Sequence, residues 1–158
     1  ESHYVWGERC LLHVQIVSQP PQVERQHRRL VLSLREPRNE AYRRSVLDAW
    51  YRQELRREAE KLLAIWVPRL EVQPNRLFIQ RMKTRWGSCN PSSRNIRLNT
   101  ELAQKPLACL EYVLVHELLH LKVAKHNAAF FALMDAHLPS WRLRKQELNE
   151  SPLAAQQW

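Results

Sequence analysis

The sequence predicts an α+β fold: a small antiparallel sheet packed on a central buried helix, with flanking helices. Three observations carry this. Residues 1–35 alternate apolar and polar side chains between turn-forming residues, as strands do. Residues 40–66 carry apolar side chains at helical spacing. Residues 107–121 are apolar on most sides, as befits a helix enclosed by the rest of the chain. A length of 158 residues suits a single domain over 1–150, with N-terminal strands in 1–35, a core in 36–150 and a tail in 151–158.

Tyr4 to Trp6, Gly7 and Glu8 to Val17 read as a hairpin, with Cys10, Leu12, Val14 and Ile16 on one face. Pro20-Pro21 breaks the second strand. Arg28 to Leu34 alternates again, and Leu30, Leu32 and Leu34 share a face. Asn39 caps a long helix from Glu40 to about Trp66, striped by Leu47, Tyr51, Leu55, Ala59, Leu62 and Trp66. Its other face mixes Arg43, Arg52 and Arg57 with Asp48, Glu54 and Glu58, which suits solvent. Pro68 is expected to stop it.

Arg76 to Met82 and Arg94 to Asn99 read as two strands, with a turn-rich segment Thr84 to Cys89 and a loop Asn90-Pro91-Ser92-Ser93 between them. No acidic residue occurs between Glu71 and Glu101, whereas Arg76, Arg81, Lys83, Arg85, Arg94 and Arg97 all do. This basic hairpin, 76–97, is the candidate surface for an anion or an extended substrate. A substrate strand is expected along the free edge of Arg94 to Asn99. Arg85, Asn95, Arg97 and Asn99 are the candidate substrate-binding residues. A formal net charge of +9 suits nucleic acid, acidic peptides or anionic surfaces and solubility alone about equally, and the hairpin is the alternative candidate for nucleic acid.

The central helix begins near Pro106, a residue favoured in a first helical turn, and runs to about Val123. Asn127 caps a following helix over Ala128 to His137. Pro139 breaks it, a charged helix spans Ser140 to Glu150, and the tail is expected to fray.

The central helix also carries the chemistry. In His116-Glu117-Leu118-Leu119-His120, the two histidines lie slightly more than one turn apart, about 6 Å along the axis. Both imidazoles therefore reach one metal ion. Glu117, on the flank, reaches a water on that metal without binding it. This is the HExxH arrangement of zinc-dependent peptidases. His126 is placed to supply a third nitrogen, with His137 as a rival. A buried helix seldom carries such groups unsatisfied, since each costs roughly 1–3 kcal/mol. Arg85 and Tyr112 are candidates for stabilising an oxyanion. Met134 is expected to fill a core gap, and Cys89 to sit as a small buried residue in a tight turn rather than as a ligand.

Composition narrows the class. No apolar run approaches the roughly 20 residues that span a bilayer, and the first residues lack a signal-peptide layout. The chain does not start with Met, and a fragment or a trimmed form is expected. Cys10, Cys89 and Cys109 are odd in number and form no CxxC, which favours a reducing, cytoplasmic setting over a disulfide framework.

Arg81-Met82-Lys83-Thr84-Arg85-Trp86-Gly87-Ser88-Cys89, Asn95-Ile96-Arg97-Leu98-Asn99, Val115-His116-Glu117-Leu118-Leu119-His120-Leu121-Lys122, His126 and Phe130 together closely resemble the YgjP-like metallopeptidases. These are bacterial zincins related to the WLM and SprT-like groups. The resemblance spans roughly residues 40 to 150. It implies a zincin-like fold and one Zn2+ held by His116, His120 and His126. It also implies Glu117 as the catalytic carboxylate and a peptide or protein substrate. Val123 stands where many members carry another His, and Asn127 where many carry Ser. The SprT-like relatives supply the alternative, a protease or binding module associated with nucleic acid. A purely structural zinc site would have no use for Glu117.

Overall fold

The computed structural model describes residues 1–150. The tail expected to fray, 151–158, lies outside the described residues. Strand β1 (Ser2–Val5) and β2 (Glu8–Ile16) form the expected hairpin, and β3 (Gln22–Gln26) and β4 (Arg29–Leu34) form a second. Helix α1 (Glu40–Leu70) follows. Then come β5 (Leu77–Gln80), β6 (Gly87–Asn90), β7 (Asn95–Asn99) and a 3-10 turn (Thr100–Gln104). Helices α2 (Leu107–Leu119), α3 (Ala128–His137) and α4 (Trp141–Asn149) complete the chain.

The α+β class holds, but the sheets are mixed rather than antiparallel. The first has the order β1-β2-β4-β3, and β2 and β4 run parallel from Leu11↔Arg29 to Ile16↔Leu34. The unforeseen strand β3 is the reason. It turns back and pairs antiparallel with β4, so β4 takes the direction of β2. Its sequence, Gln-Val-Glu-Arg-Gln, offers one apolar residue, enough for an edge strand and too few for a visible alternation. The second sheet has the order β5-β7-β6, with β5 parallel to β7 and β6 antiparallel to it. The two strands expected over 76–97 do pair, but they run parallel and so form no hairpin. The hairpin proper is β6–β7, and β6 occupies part of the segment read as turns.

Asn39 caps α1 by accepting the Tyr42 N–H at 2.9 Å. Pro68 does not stop this helix but lies inside its last turn. Only one backbone bond is forfeited there, and the buried Leu70 and Val72 draw the turn onward into the core. Glu71 then ends the helix in the left-handed region at φ 54°.

Helix α2 is the centre of the molecule. All its residues from Cys109 to Leu119 are buried except Glu111. It packs against α1, α3, α4 and the second sheet. The N-terminal hairpin joins the same core through Val5 and Cys10. Its tip is pinned where the Trp6 N–H donates to Ala103 O at 2.8 Å and the Gly7 N–H to Gln104 O at 3.0 Å. Gly7 adopts φ 82°, and a Cβ there would lie 2.9 Å from Pro106 Cγ. Among the described residues no helix is long and apolar enough to cross a membrane.

Candidate metal centre

Helix α2 ends at Leu119, four residues short of the expected Val123, and His120 is its C-cap. With φ −65° and ψ −15°, His120 still continues the right-handed path, so its relation to His116 survives. The chain then turns tightly. The Leu121 N–H donates to Leu118 O at 3.0 Å and the Val123 N–H to Leu119 O at 2.9 Å. The Asn127 side chain accepts the Phe130 N–H at 3.1 Å and starts α3, as its capping role requires. The turn between those two anchors folds His126 back over the end of α2.

The three imidazoles meet at one point. The Nε2 atoms lie 3.2 Å apart for His116 and His120, 3.0 Å for His116 and His126, and 2.9 Å for His120 and His126. Tetrahedral ligands at the usual zinc–nitrogen distance of about 2.0–2.1 Å stand about 3.3 Å apart, so the donor set fits such an ion to within a few tenths of an ångström. Among the described residues this trio is the group able to hold a metal, and His137 is not part of it.

Orientation supports the same fit. His120 Nδ1 lies 3.0 Å from Val123 O, so it is this nitrogen that donates and Nε2 keeps its lone pair facing the other two rings. The buried Phe130 ring backs all three imidazoles, with centroids 4.5 Å from His120, 5.0 Å from His116 and 5.1 Å from His126. Phe131 lies over His126 at 6.3 Å.

Burial sets the charge states. It pushes His116 down to about 2, reinforced by His120, His126 and Lys145. His120 is also lowered by burial, against the opposing bond to the Val123 carbonyl, and His126 is lowered by burial and by Lys145. All three are driven toward the neutral form that ligates metal. Glu117 is only 3% exposed, and burial pushes its carboxyl up to about 8 while Arg85 pulls the other way. A dication held by the three imidazoles would act in the same direction as Arg85 and favour the carboxylate.

The second sheet meets this helix closely. Gly87 opens β6, and a Cβ there would lie 2.9 Å from Val113 Cγ1 and 3.2 Å from Glu117 Cγ. One face of β6 therefore rests on α2 beside the carboxylate. Cys89, in the same strand, has its thiol raised to about 11, first by burial and then by Glu117, and is not in the metal-holding group.

The other sequence-derived residues are distributed unevenly. β7 is the middle strand of its sheet, so the free edge expected along Arg94 to Asn99 is occupied on both sides. The open edge beside α2 belongs to β6, hidden in a four-residue strand that reads as a turn. Asn99 is fully buried and structural. Its Nδ2 donates to Met82 O at 2.9 Å and to Arg85 O at 2.8 Å, and its Oδ1 accepts the Glu101 N–H at 3.1 Å. Asn95 Oδ1 accepts the Arg76 N–H at 3.2 Å, and Arg97 lies over the Phe78 ring at 4.9 Å. Of the four, Arg85 is the one whose charge pulls the Glu117 carboxyl down. Tyr112 is buried one turn below His116, edge-on to it at 5.9 Å and stacked with Trp141 at 6.4 Å. Burial raises its phenol far above the usual range. It forms the floor of the site. Met134 is fully buried, as a core filler should be.

These features fit a metallopeptidase, with a helix-borne histidine pair beneath a small mixed sheet. The chain belongs to the YgjP-like family, matching its metallopeptidase domain over residues 1–151. It is thus a peptide-bond hydrolase of the metal-dependent class. Among solved structures it is similar to the metallopeptidase zymogen abylysin of Pyrococcus abyssi, with 20% identity, 61% of this chain and 97% of that one covered, and a TM-score of 0.56. The zymogen jannalysin of Methanocaldococcus jannaschii matches at 18% identity over 61% of this chain and 88% of that one, with a TM-score of 0.48. No curated protein matches the chain.

Proposed function

We propose that residues 1–150 act as one zinc metallopeptidase unit in which His116, His120 and His126 hold a single Zn2+ and Glu117 is the catalytic carboxylate. The observation that carries this reading is the convergence of three Nε2 atoms within 3.2 Å of one another beside a buried glutamate. A zinc ion held there supplies a Lewis acid for the scissile carbonyl and brings the pKa of a water toward about 7.

The chain's own residues do the rest. Glu117 accepts the proton of the attacking water and returns it to the leaving amine. Phe130 and Tyr112 hold the imidazoles and keep bulk water from the inner side. The open edge of β6 offers backbone groups on which an extended peptide lies as an added strand. Arg85 draws the Glu117 carboxyl toward its ionised form, against the effect of burial.

Glu117→Gln tests this reading. The variant is expected to retain one zinc per chain by elemental analysis and to lose peptide cleavage by at least about a hundredfold, the contribution usual for a general base. A variant that cleaves peptides at the wild-type rate would remove Glu117 from the chemistry.

A further inference from the structure

Both walls of the metal centre come from acid-free sequence. No Asp or Glu occurs in residues 72–100, which supply β6 and the loop before it, or in residues 118–134, which supply His120, His126 and the start of α3. Elsewhere the surface cations find acids: Arg44 with Glu40 and Lys61 with Glu58 at 3.0 Å, and Arg142 with Asp135 at 2.8 Å. Around the site they do not. Among the described residues, Arg85, Lys122, Lys125 and Lys145 form no ion pair.

The fold sets the backbones of two of these cations near the three histidines, Arg85 just before β6 and Lys145 on α4. Arg85 stands two residues before Gly87, where a Cβ would lie 3.2 Å from Glu117 Cγ. Its carbonyl is held by Asn99 at 2.8 Å, and the next residue, Trp86, is buried. Lys145 lies one turn beyond Trp141 on the same face of α4. The Trp141 ring stacks on Phe131 at 5.5 Å, and Phe131 in turn covers His126. Cations beside a bound dication would raise the local potential, and neither acid-free segment supplies a carboxylate to relieve it.

We propose that the enzyme selects peptides carrying an acidic residue next to the bond it cleaves, with Arg85 on the Glu117 side and Lys145 on the His126 side as the recognising cations. This rests on the metallopeptidase reading above. A carboxylate beside the scissile bond supplies the charge that the two walls lack, and a backbone along β6 passes between the two cations.

The test is binding of fluorescent peptides to the zinc-loaded Glu117→Gln protein, which needs no turnover. Peptides of one length carry Glu, Gln or Lys beside a fixed central bond. The Glu peptide should bind about tenfold more tightly than the Gln peptide at low salt, and the difference should shrink as salt rises. Arg85→Ala and Lys145→Ala should each remove about three- to tenfold of that preference, Arg85→Lys should restore part of it, and the distant Arg28→Ala should leave it intact. Equal affinities for the Glu and Gln peptides, or a preference that survives both alanine variants, would overturn the proposal. So would a single-stranded oligonucleotide that binds more tightly than the Glu peptide and is weakened by the same variants, since the cations would then serve nucleic acid. Digestion of the same peptides by the wild-type enzyme separates the two readings. Cleavage without acidic preference upholds the peptidase and sinks the selectivity. Acid-selective binding without cleavage does the reverse.

Discussion

A methyl group placed on Gly87 would lie 3.2 Å from the Cγ of Glu117. The strand edge and the carboxylate are thus in direct contact, with no side chain between them. The same imagined methyl would lie 2.9 Å from Val113 Cγ1 and 3.1 Å from the carbonyl of Arg97, so it is hemmed in by helix and sheet together. Gly87→Ala must therefore lift β6 from α2. Overpacking of this kind costs about 1–3 kcal/mol. For a chain this long, each of those kcal/mol lowers Tm by roughly 2–4 °C. Activity should fall further than stability requires, because the displaced strand also carries the substrate edge away from Glu117. Thermal melts and peptide kinetics on one preparation check this. A variant with wild-type Tm and wild-type kcat/KM would mean the contact is not tight.

His126 and His137 can be told apart by metal affinity. Each follows the HExxH helix and each was open to the sequence as a third ligand. The structure gathers only His126 with His116 and His120. Outer ligand supports alone typically shift metal affinity by about 10–100-fold, and loss of a direct ligand should exceed that range. His126→Ala is expected to weaken zinc binding by more than about a hundredfold in a chelator competition. His137→Ala should leave it within about twofold of wild type. The opposite ordering would move the third ligand to α3.

What could be read in advance, and what could not, follows from the range of the interactions. The relation of His116, Glu117 and His120 depends on helix periodicity alone, so it was legible from spacing. His126 was legible because a cap residue, Asn127, marks where the next helix must start. Strand direction was not. Whether β4 runs parallel to β2 depends on β3, whose single Val23 gives no period to detect. β6 was hidden for a related reason. Gly87, Ser88, Cys89 and Asn90 are chosen for closeness to α2, not for strand propensity. Asn99 misled in the other direction. A polar residue at a strand end reads as a surface group. Here it turns inward to hold the carbonyls of Met82 and Arg85, a role set by a loop 14–17 residues away in sequence.

The join between α3 and α4 should respond to acid. Asp135 accepts from Trp141 Nε1 at 2.8 Å and from Arg142 Nη1 at 2.8 Å. The Trp141 bond, then the Arg142 bond, hold its carboxyl below the model-peptide value of 3.8. A carboxyl with a depressed folded pKa adds stability above its unfolded pKa and loses it as pH falls through the folded value. The contribution of this clasp should therefore be constant from neutral pH down to about 4 and fade below that. Asp135→Asn should show a small loss of Tm at neutral pH that disappears in strong acid. A Tm difference that grows as pH falls below 4 would reverse the sign and refute the assignment.

Removing metal should loosen one segment and spare the rest. The turn from Leu121 to His126 is tied down by few groups of its own. Val123 donates to Leu119 O and receives the His120 Nδ1 proton, Asn127 caps α3, and most of its side chains face solvent. His126 is exposed and reaches the site through its imidazole alone. A bound ion adds three bonds that close this turn onto α2. Without it, three lone-pair nitrogens within 3.2 Å repel one another, and the cheapest relief is for His126 to swing out. The core of α2 has no such freedom, since Leu110, Leu114 and Leu118 are fully buried. Chelation should therefore raise amide exchange at residues 121–127 while the amides of 110–118 stay protected. It should also lower Tm by several degrees, since a ligand that binds only the folded state stabilises it by mass action. Added zinc should reverse both changes. Exchange that rises first within 110–118, or a turn whose protection is unchanged by chelation, would show that the metal does not hold His126 to the helix.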